Sequence, residues 1–309
     1  MNDVFDPKTY SPISRVNTVL SDRASVSLSV KREDLIHPTI SGNKWRKLKY
    51  NLKDALDNNV ETVITFGGAF SNHIYSTAAA CNELGLRSVG IIRGDYDKNN
   101  PTTMFAQQCG MELRFVDRTS YSEKESSEAV KSILSKYSNY VLIPEGGSNV
   151  LAEKGLHELS IEINESDHNI IMVSAGTGST ATGILQNLNS NKDLWVFSSL
   201  KSDYLKNEIL KKTDSNKHAQ LKFISTYHYG GYGKTPHELI SFINDFKTQT
   251  GIPLDPIYNG KLISGYFDMI ERNMVNNNHS YLWIHTGGLQ GVAAYNYMAD
   301  KKKWPKLAQ

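Results

Sequence analysis

Two segments of the 309-residue sequence combine residue types and spacing that suit ligand chemistry. The first, residues 41–48, reads Ser-Gly-Asn-Lys-Trp-Arg-Lys-Leu at the start of a predicted helix. An amine that forms a Schiff base must lose its proton from a pKa of about 10.4, and both burial and the positive end of a helix lower that pKa. Helical geometry places Lys44 and Lys49 beside the apolar stripe and points Arg46 and Lys47 away from it. Position favours Lys44 as a nucleophile, and a solvated basic helix face is the alternative.

The second segment, residues 174–183, reads Ser-Ala-Gly-Thr-Gly-Ser-Thr-Ala-Thr-Gly and follows an apolar strand. Glycines let the backbone approach a ligand closely, and N–H groups at a helix start attract an anion, so the segment predicts a phosphate-binding loop. Its Gly-x-Gly-x-x-Ala spacing also fits a dinucleotide fingerprint, but Ser198 and Ser199 stand where an acidic residue would hold the ribose. A Walker loop is excluded because Ile184 follows Gly183. A plain glycine-rich turn is the other alternative.

Three further turns are dense in polar residues. Residues 67–73 read Gly-Gly-Ala-Phe-Ser-Asn-His, residues 230–234 read Gly-Gly-Tyr-Gly-Lys, and residues 284–288 read Ile-His-Thr-Gly-Gly. Turns at the carboxyl ends of strands are usual ligand positions in open α/β sheets, although the last three residues of the first turn could instead only cap a helix. Neither Gly-x-Ser-x-Gly nor His-Glu-x-x-His occurs, so we predict neither a serine hydrolase nor a metal site.

The elements that position these segments alternate between short apolar runs and longer amphipathic ones. Predicted strands cover residues 25–30, 60–66, 88–92, 113–116, 140–143, 169–174, 194–197, 221–224 and 281–284. Predicted helices cover residues 43–58, 72–84, 102–109, 123–137, 151–163, 235–250, 262–275 and 288–298. The alternation predicts an α/β fold of open sheets flanked by helices, and the chain length predicts two lobes with a boundary near residues 144–149.

Composition narrows the class of protein. The chain has 34 basic and 32 acidic side chains, a net charge of +2, and two cysteines that form no Cys-x-x-Cys pair. A nearly balanced charge offers no field for nucleic acid or an anionic membrane, and no apolar run approaches the roughly 18 residues of a membrane span. We expect a cytoplasmic protein that binds neither nucleic acid nor membrane.

The order and spacing of these segments resemble, over nearly the whole chain, the pyridoxal-phosphate enzymes that include 1-aminocyclopropane-1-carboxylate deaminase and D-cysteine desulfhydrase. The resemblance implies the two-domain tryptophan-synthase-β-like architecture, fold type II, with pyridoxal 5'-phosphate in the interdomain cleft. It implies a large cofactor-binding domain of residues 1–46 plus 150–309 and a small inserted domain of residues 47–149. It also implies a homodimer that acts on a small amino acid.

The resemblance assigns roles in the first half of the chain. Lys44, in Gly-Asn-Lys-x-Arg-Lys-Leu, falls on the lysine that forms the Schiff base with the cofactor. Asn72 would hydrogen-bond the ring hydroxyl of the cofactor and lie near the substrate. Ser71, as a catalytic residue, and His73 would face the substrate, with Ser71 near its carboxylate.

The resemblance also assigns roles in the second half. The phosphate would be bound by Gly176, Thr177, Gly178, Ser179 and Thr180. A tyrosine, which is Tyr258 or Tyr232, would act with the lysine as an acid or base.

Two positions separate members of the family. The cyclopropane deaminases carry Tyr-Glu-Gly-Lys and His-Leu-Gly-Gly, whereas this sequence has Tyr-Asn-Gly-Lys at residues 258–261 and His-Thr-Gly-Gly at residues 285–288. Thr286 matches the threonine whose hydroxyl addresses the ring nitrogen in desulfhydrase-like members. A neutral hydroxyl leaves that nitrogen largely unprotonated, which suffices when a good leaving group departs from the β-carbon. Asn259 is predicted to bind the substrate.

These positions predict a pyridoxal-phosphate-dependent lyase that removes an α-proton and a β-substituent, with D-cysteine giving pyruvate, ammonia and sulfide. A 1-aminocyclopropane-1-carboxylate deaminase is the alternative within the family. In other classes, the alternatives are an NAD(P)-dependent oxidoreductase and a non-catalytic protein that binds pyridoxal phosphate.

Overall fold

A computed structural model describes residues 4–5 and 11–308 of the chain. The described residues form two compact units: residues 4–5 with 37–155, hereafter unit 1, and residues 11–36 with 156–308, hereafter unit 2. Residues 37–46, assigned to the large domain from the sequence, lie in unit 1. Because compactness does not show which segments fold independently, the predicted domain boundaries stay a prediction.

Ten strands and twelve α-helices occur in the described residues. The strands are β1 Ile13–Arg15, β2 Ser27–Lys31, β3 Thr62–Gly68, β4 Arg87–Arg93, β5 Glu112–Val116, β6 Tyr140–Ile143, β7 Ile170–Ala175, β8 Asp193–Ser198, β9 Leu221–Ile224 and β10 Ser280–Ile284. The helices are α1 Val19–Arg23, α2 Asn43–Asp57, α3 Asn72–Leu84, α4 Pro101–Gln108, α5 Arg118–Glu123, α6 Glu128–Leu134, α7 Val150–Asn164, α8 Ser179–Asn187, α9 Tyr204–Lys211, α10 His237–Thr250, α11 Asn259–Glu271 and α12 Gln290–Lys302.

Unit 2 contains a six-stranded sheet in the order β1-β2-β10-β7-β8-β9, with only β1 antiparallel to its neighbour. Alternate residues of its strands enter two different apolar clusters. One cluster joins Met172 and Trp283 to α10, α11 and α12, and the other joins Val173 and Leu282 to α7, α8 and α9. Since side chains alternate across a strand, the two faces of the sheet are both covered by helices.

Unit 1 contains a four-stranded parallel sheet in the order β5-β4-β3-β6. Ile64 and Ile91 pack in a cluster with α5 and α6, while Ile92 packs with α3 and α4. Parallel strands joined by helices on both sides are the arrangement that the sequence pattern predicts. The predicted α/β class is therefore confirmed.

The ends of several elements agree with the sequence analysis. Helix α3 begins and ends where predicted, because Ser71 accepts the first backbone N–H groups and Gly85 ends the helix at φ 71°. The single helix predicted over residues 123–137 is wrong. The backbone is extended at Ser127 and φ is 53° at Lys124, so α5 and α6 are separate helices.

Three short elements, β1, α1 and α9, were not predicted from the sequence. Helix α9 buries only Leu205 and Ile209 of its eight residues, which leaves too short an apolar stripe for a sequence pattern to reveal. Every helix among residues 4–5 and 11–308 is too short or too polar to span a bilayer.

Candidate active site

Lys44 lies in the first turn of α2 in unit 1. Its Nζ atom donates to the carbonyl oxygen of Gly146 at 3.3 Å. Burial lowers the pKa of Lys44 to about 8, against the smaller opposing effect of the Glu145 carboxylate. About half of the Lys44 amines are therefore neutral near pH 8, and the neutral amine is the form that attacks a carbonyl carbon.

A second buried lysine, Lys47, lies one turn further along α2. Its Nζ atom donates to the same Gly146 oxygen at 3.2 Å. Burial, and then the charge of Lys44, lower the pKa of Lys47 well below its usual value. The site therefore brings two lysine side chains to one carbonyl oxygen.

The prediction that Arg46 and Lys47 point away from the packed face of α2 is wrong. Arg46 is 4% exposed and Lys47 is 1% exposed. Helix α7 approaches α2 closely at one point, where a Cβ atom at Gly155 would lie 1.9 Å from the carbonyl oxygen of Arg46. A contact between residues this far apart in sequence leaves no periodic signal along α2 itself.

The Gly146 carbonyl belongs to a short 3-10 turn, Glu145–Gly147, that follows β6. A Cβ atom at Gly147 would lie 3.2 Å from Cε1 of His73 and 3.5 Å from Cβ of Lys47. This turn was predicted only as a lobe boundary, and its position beside the two lysines was not predicted. Its glycine pair directly after a strand was the available signal.

Ser71 begins helix α3, and its Oγ atom accepts the backbone N–H groups of His73 at 3.2 Å and Ile74 at 3.4 Å. Ser71 thus performs the capping role that the sequence left open. Asn72 is the first residue of the helix and is partly buried. The roles predicted for Ser71 and Asn72 toward substrate and cofactor stay predictions.

His73 is 2% exposed, and its ring is hydrogen-bonded to the Thr65 side chain. The Thr65 hydroxyl donates to the carbonyl oxygen of Ile143 at 2.8 Å, so it accepts from Nε2 of His73, also at 2.8 Å. The Nδ1 atom has no hydrogen-bond partner among the described residues. Burial, then Lys44 and Lys47, lower the pKa of His73 well below its usual value. His73 is therefore a neutral imidazole, and its predicted contact with substrate stays a prediction.

The predicted phosphate-binding loop lies in unit 2, between β7 and α8. Gly178 precedes the helix at φ 82° and has no side chain that could cap it, and the Thr177 and Ser179 hydroxyls lie 3.3 Å apart. A helix start with a glycine backbone and neighbouring hydroxyl groups suits a phosphate dianion. Thr180 follows in the first turn and is 6% exposed.

Two tyrosines lie beside this loop. A Cβ atom at Gly176 would lie 2.9 Å from Cε1 of Tyr258, so a glycine is needed for the ring to approach the backbone. The Tyr258 hydroxyl donates to the Tyr232 hydroxyl at 3.5 Å. Both tyrosines that were predicted as acid or base candidates therefore occur together, and Tyr232 is 58% exposed.

Lys261 fixes the glycine-rich loop that carries Tyr232. Its Nζ atom donates to the carbonyl oxygens of His228 at 2.9 Å and Gly231 at 2.8 Å. Burial lowers the pKa of Lys261 to about 8, opposed by the charge of Asp255. The sequence indicates no role for this lysine, because its partners His228 and Gly231 lie 33 and 30 residues away along the chain.

Thr286 follows strand β10, and Asn259 begins α11. The Thr286 hydroxyl lies 3.5 Å from the Ser174 hydroxyl and 3.3 Å from Nδ2 of Asn259. Asn259 is fully buried, and Thr286 is 8% exposed. The predicted roles of Thr286 toward the cofactor and of Asn259 toward the substrate are not tested by these contacts and stay predictions.

Among the described residues, the side chains that commonly bind metals nowhere gather in a group of three or more suited to an ion. Unit 1 contains a lysine whose amine is neutral in part near pH 8, and unit 2 contains a helix start that suits an anion. Each is a feature expected of an enzyme that attaches a phosphorylated carbonyl cofactor to a lysine.

The family model for pyridoxal-phosphate dependent enzymes matches residues 11–287, so the chain belongs to that family. The resemblance inferred from the sequence and the predicted cofactor are thereby confirmed. The residues described above fit the cofactor, because the lysine amine is neutral in part near pH 8 and the loop can hold a phosphate without a basic side chain.

Curated relatives agree with this assignment. A protein of Pyrococcus abyssi named "Putative 1-aminocyclopropane-1-carboxylate deaminase" is 30% identical over 295 residues, covering 89% of this chain and 88% of the relative. A protein of the same name from Pyrococcus horikoshii is 30% identical over 292 residues, with 89% of each chain covered.

Solved structures confirm the fold type. A structure described as an ACC deaminase homologue has a TM-score of 0.79 and 27% identity, covering 94% of this chain and 93% of its own. A hydrogen sulfide-producing enzyme from Fusobacterium nucleatum has a TM-score of 0.69, covering 94% and 99% of the two chains. The second structure is only 15% identical, so its likeness concerns the fold alone.

Proposed function

We propose that this chain is a pyridoxal-phosphate-dependent carbon–sulfur lyase that removes the α-proton and the β-substituent of a small amino acid, with D-cysteine as the preferred substrate. The observation that carries the proposal is the pair of neutral residues, Asn259 and Thr286, where the cyclopropane deaminases have glutamate and leucine. The two side chains are buried in contact with each other, 3.3 Å apart.

The cofactor, when bound, supplies an electron-withdrawing ring that stabilises negative charge at the α-carbon. A ring nitrogen opposite a neutral hydroxyl is less protonated than one opposite a carboxylate, and it withdraws electrons less strongly. Loss of a good leaving group such as sulfide needs less of this stabilisation than the opening of a cyclopropane ring. The neutral pair therefore favours the lyase reaction over the deaminase reaction.

Lys44 supplies the amine that attaches the cofactor and, once released, the base for the α-proton. A pKa of about 8 suits both tasks, since the amine is often neutral and still basic enough to take a proton. The Gly176–Thr180 loop binds the phosphate group. Tyr258 and Tyr232 are the candidates to deliver a proton to the leaving sulfur.

The bonds balance without an oxidant or a metal ion. The α-carbon loses its proton to the base, and the β-carbon–sulfur bond breaks with its electron pair leaving on sulfur. Water then hydrolyses the remaining unsaturated amine, so D-cysteine and water give pyruvate, ammonia and hydrogen sulfide.

A substrate panel tests the activity directly. The purified holoenzyme is incubated with D-cysteine, L-cysteine and 1-aminocyclopropane-1-carboxylate, and sulfide and keto acid are measured. We expect sulfide and pyruvate in equal amounts from D-cysteine. Keto acid from the cyclopropane substrate without sulfide from either cysteine would favour the deaminase, and no product from any amino acid would favour a non-catalytic protein.

The role of Lys44 has a matched control in the same helix. We expect Lys44→Ala to lower turnover about 10³-fold or more, since it removes both the attachment point and the base. Lys49→Ala changes a neighbouring lysine that lies over the Trp45 ring at 5.4 Å, and we expect turnover within about threefold of wild type.

Borohydride reduction followed by peptide mass mapping gives a second readout for the lysine. We expect the pyridoxyl mass on the peptide that contains Lys44. Full lyase activity in Lys44→Ala, or the pyridoxyl mass on another lysine, would contradict the assignment. The homodimer implied by the family resemblance and the cytoplasmic location expected from the composition stay predictions.

A further inference from the structure

Asn259 is held in place by a buried carboxylate. The segment before it turns around Asp255, which is 1% exposed. The Asp255 carboxylate accepts the backbone N–H groups of Ile257 at 3.0 Å, Tyr258 at 2.8 Å and Asn259 at 2.9 Å. These bonds fix both the carboxylate and the start of α11.

The orientation of the Asn259 amide follows from its neighbours. The Trp283 indole can only donate, and its Nε1 lies 3.2 Å from Oδ1 of Asn259. The Nδ2 atom donates to Oδ1 of Asp255 at 2.7 Å and to the carbonyl oxygen of Gly287 at 3.0 Å. The backbone N–H of Thr286 is the second donor to Oδ1, at 3.3 Å. Two donor hydrogens and two acceptor positions are thus all used by the protein.

We infer that Asn259 is a positioning residue: by accepting the backbone N–H of Thr286 and donating to the carbonyl oxygen of Gly287, it fixes the backbone that carries the Thr286 hydroxyl, and it thereby favours substrates with a good β-leaving group. This inference rests on the proposed function for its substrate class. With its hydrogen-bonding capacity used, the amide acts through Thr286 instead of holding a substrate.

The same amide separates Thr286 from the Asp255 carboxylate. The Asp255 carboxyl group accepts three backbone N–H groups and Nδ2 of Asn259, and burial raises its pKa above the usual value. The nearest side-chain partners of the Thr286 hydroxyl are the Ser174 hydroxyl and the Asn259 amide, which carry no charge. The buried Asp255 carboxyl group therefore lies behind the Asn259 amide and is not among the side chains nearest to the Thr286 hydroxyl.

Asn259→Leu tests the inference, because leucine has a similar volume and no amide. Asn296→Leu is the matched control, since Asn296 is also buried in unit 2 and its amide bonds only the backbone of Leu307, at 3.0 Å and 2.9 Å. The readouts are the dissociation constant for pyridoxal phosphate and the NMR shift of the cofactor labelled at its ring nitrogen. We expect Asn259→Leu to weaken binding about tenfold and to move the nitrogen shift, and Asn296→Leu to change neither.

A second variant keeps the test decisive if Asn259→Leu does not fold. Trp283→Phe removes the donor that orients Oδ1 while keeping an aromatic ring against Phe246. We expect it to move the nitrogen shift in the same direction. Wild-type affinity and nitrogen shift in a folded Asn259→Leu protein, or in Trp283→Phe, would overturn the inference.

The readouts separate this inference from the proposed function. Both are measured without substrate, so a wild-type protein that binds pyridoxal phosphate but releases no sulfide would contradict the lyase activity alone. With an active enzyme, we expect Asn259→Leu to lower kcat for D-cysteine more than it raises KM, because the effect acts on the cofactor's electronics and not on substrate binding.

Discussion

The surroundings of Lys44 in unit 1 and of Asn259 in unit 2 use buried polar groups in opposite ways. Around Lys44, two lysine side chains lie within 3.3 Å of one carbonyl oxygen. Around Asn259, each donor and acceptor of the amide meets a partner. Burial makes a charged amine unfavourable in the first region, and the hydrogen bonds of the second region hold the backbone of residues 286 and 287 in one position.

The difference follows from the cost of burying each group. A buried ammonium loses its hydration and is destabilised relative to the neutral amine, so its pKa falls. A buried amide cannot lose its polarity, and it must be fully hydrogen-bonded to be tolerated. A reactive amine therefore comes from burial, and a positioning residue comes from a complete set of hydrogen bonds.

Gly155→Ala is expected to have the largest effect. It changes the surroundings of Lys44 and leaves those of Asn259 unchanged. The added Cβ atom would lie 1.9 Å from the backbone oxygen of Arg46, which lies between the two lysines in α2. Because a backbone atom cannot rotate away, α2 and α7 must move apart. We expect a loss of about 3 kcal/mol in the free energy of unfolding, measured with urea, and weaker pyridoxal phosphate binding.

Gly85→Ala is the control for this variant. Gly85 ends α3 in the same unit, at φ 71°, with no other atom within 4 Å of an added Cβ. It should cost only the backbone strain of about 1 kcal/mol and leave cofactor binding unchanged. Equal losses in the two variants would show that the approach of α7 to Arg46 does not shape the lysine site.

A smaller effect is expected from pH on the reactivity of the Lys44 amine. It tests the difference between the surroundings of Lys44 and those of Asn259. With a pKa of about 8, the Lys44 amine is half neutral near pH 8, and its reactivity levels off about one pH unit above that value. A free lysine side chain, with a pKa of about 10.4, has under about 1% neutral amine at that pH.

Competitive acetylation with peptide mass mapping measures this difference in the protein without cofactor. Lys44 labelling should reach half its maximum near pH 8, while N-acetyl-lysine amide present in the same tube continues to gain reactivity above pH 9. A Lys44 profile that follows the free amine would contradict the low pKa, and with it the contrast between the two regions.

Local sequence determined much of the fold and the identity of single residues. The N-cap at Ser71 and the stop at Gly85 are neighbours of the helix they bound, so α3 could be predicted at both ends. Lys44 and the Gly176–Thr180 loop were predicted as candidates from their place at the start of predicted helices, and the structure places both at helix starts. In each case, the signal and its consequence lie within a few residues of each other.

Contacts between distant segments could not be predicted in this way. Gly146 meets Lys47 from 99 residues away along the chain, and Asn259 meets Trp283 from 24 residues away. Arg46 is buried, and its backbone meets Gly155, which lies 109 residues further along the chain, so the pattern along α2 alone predicted its exposure wrongly. What the sequence left undecided is therefore how each reactive group is surrounded, which sets its pKa and orientation.

The smallest predicted effect concerns Glu145, whose carboxylate raises the pKa of Lys44. Glu145→Gln removes that charge, so the midpoint of Lys44 acetylation should move to lower pH, with roughly a two- to threefold faster reaction at pH 7. The effect is small because Glu145 is exposed and already pairs with Lys124 at 2.8 Å. Glu128→Gln, which breaks a similar exposed pair with Lys131 at 2.7 Å, should leave Lys44 unchanged. A midpoint that moves to higher pH in Glu145→Gln would contradict this prediction, because it would show that the Glu145 carboxylate does not raise the pKa of Lys44.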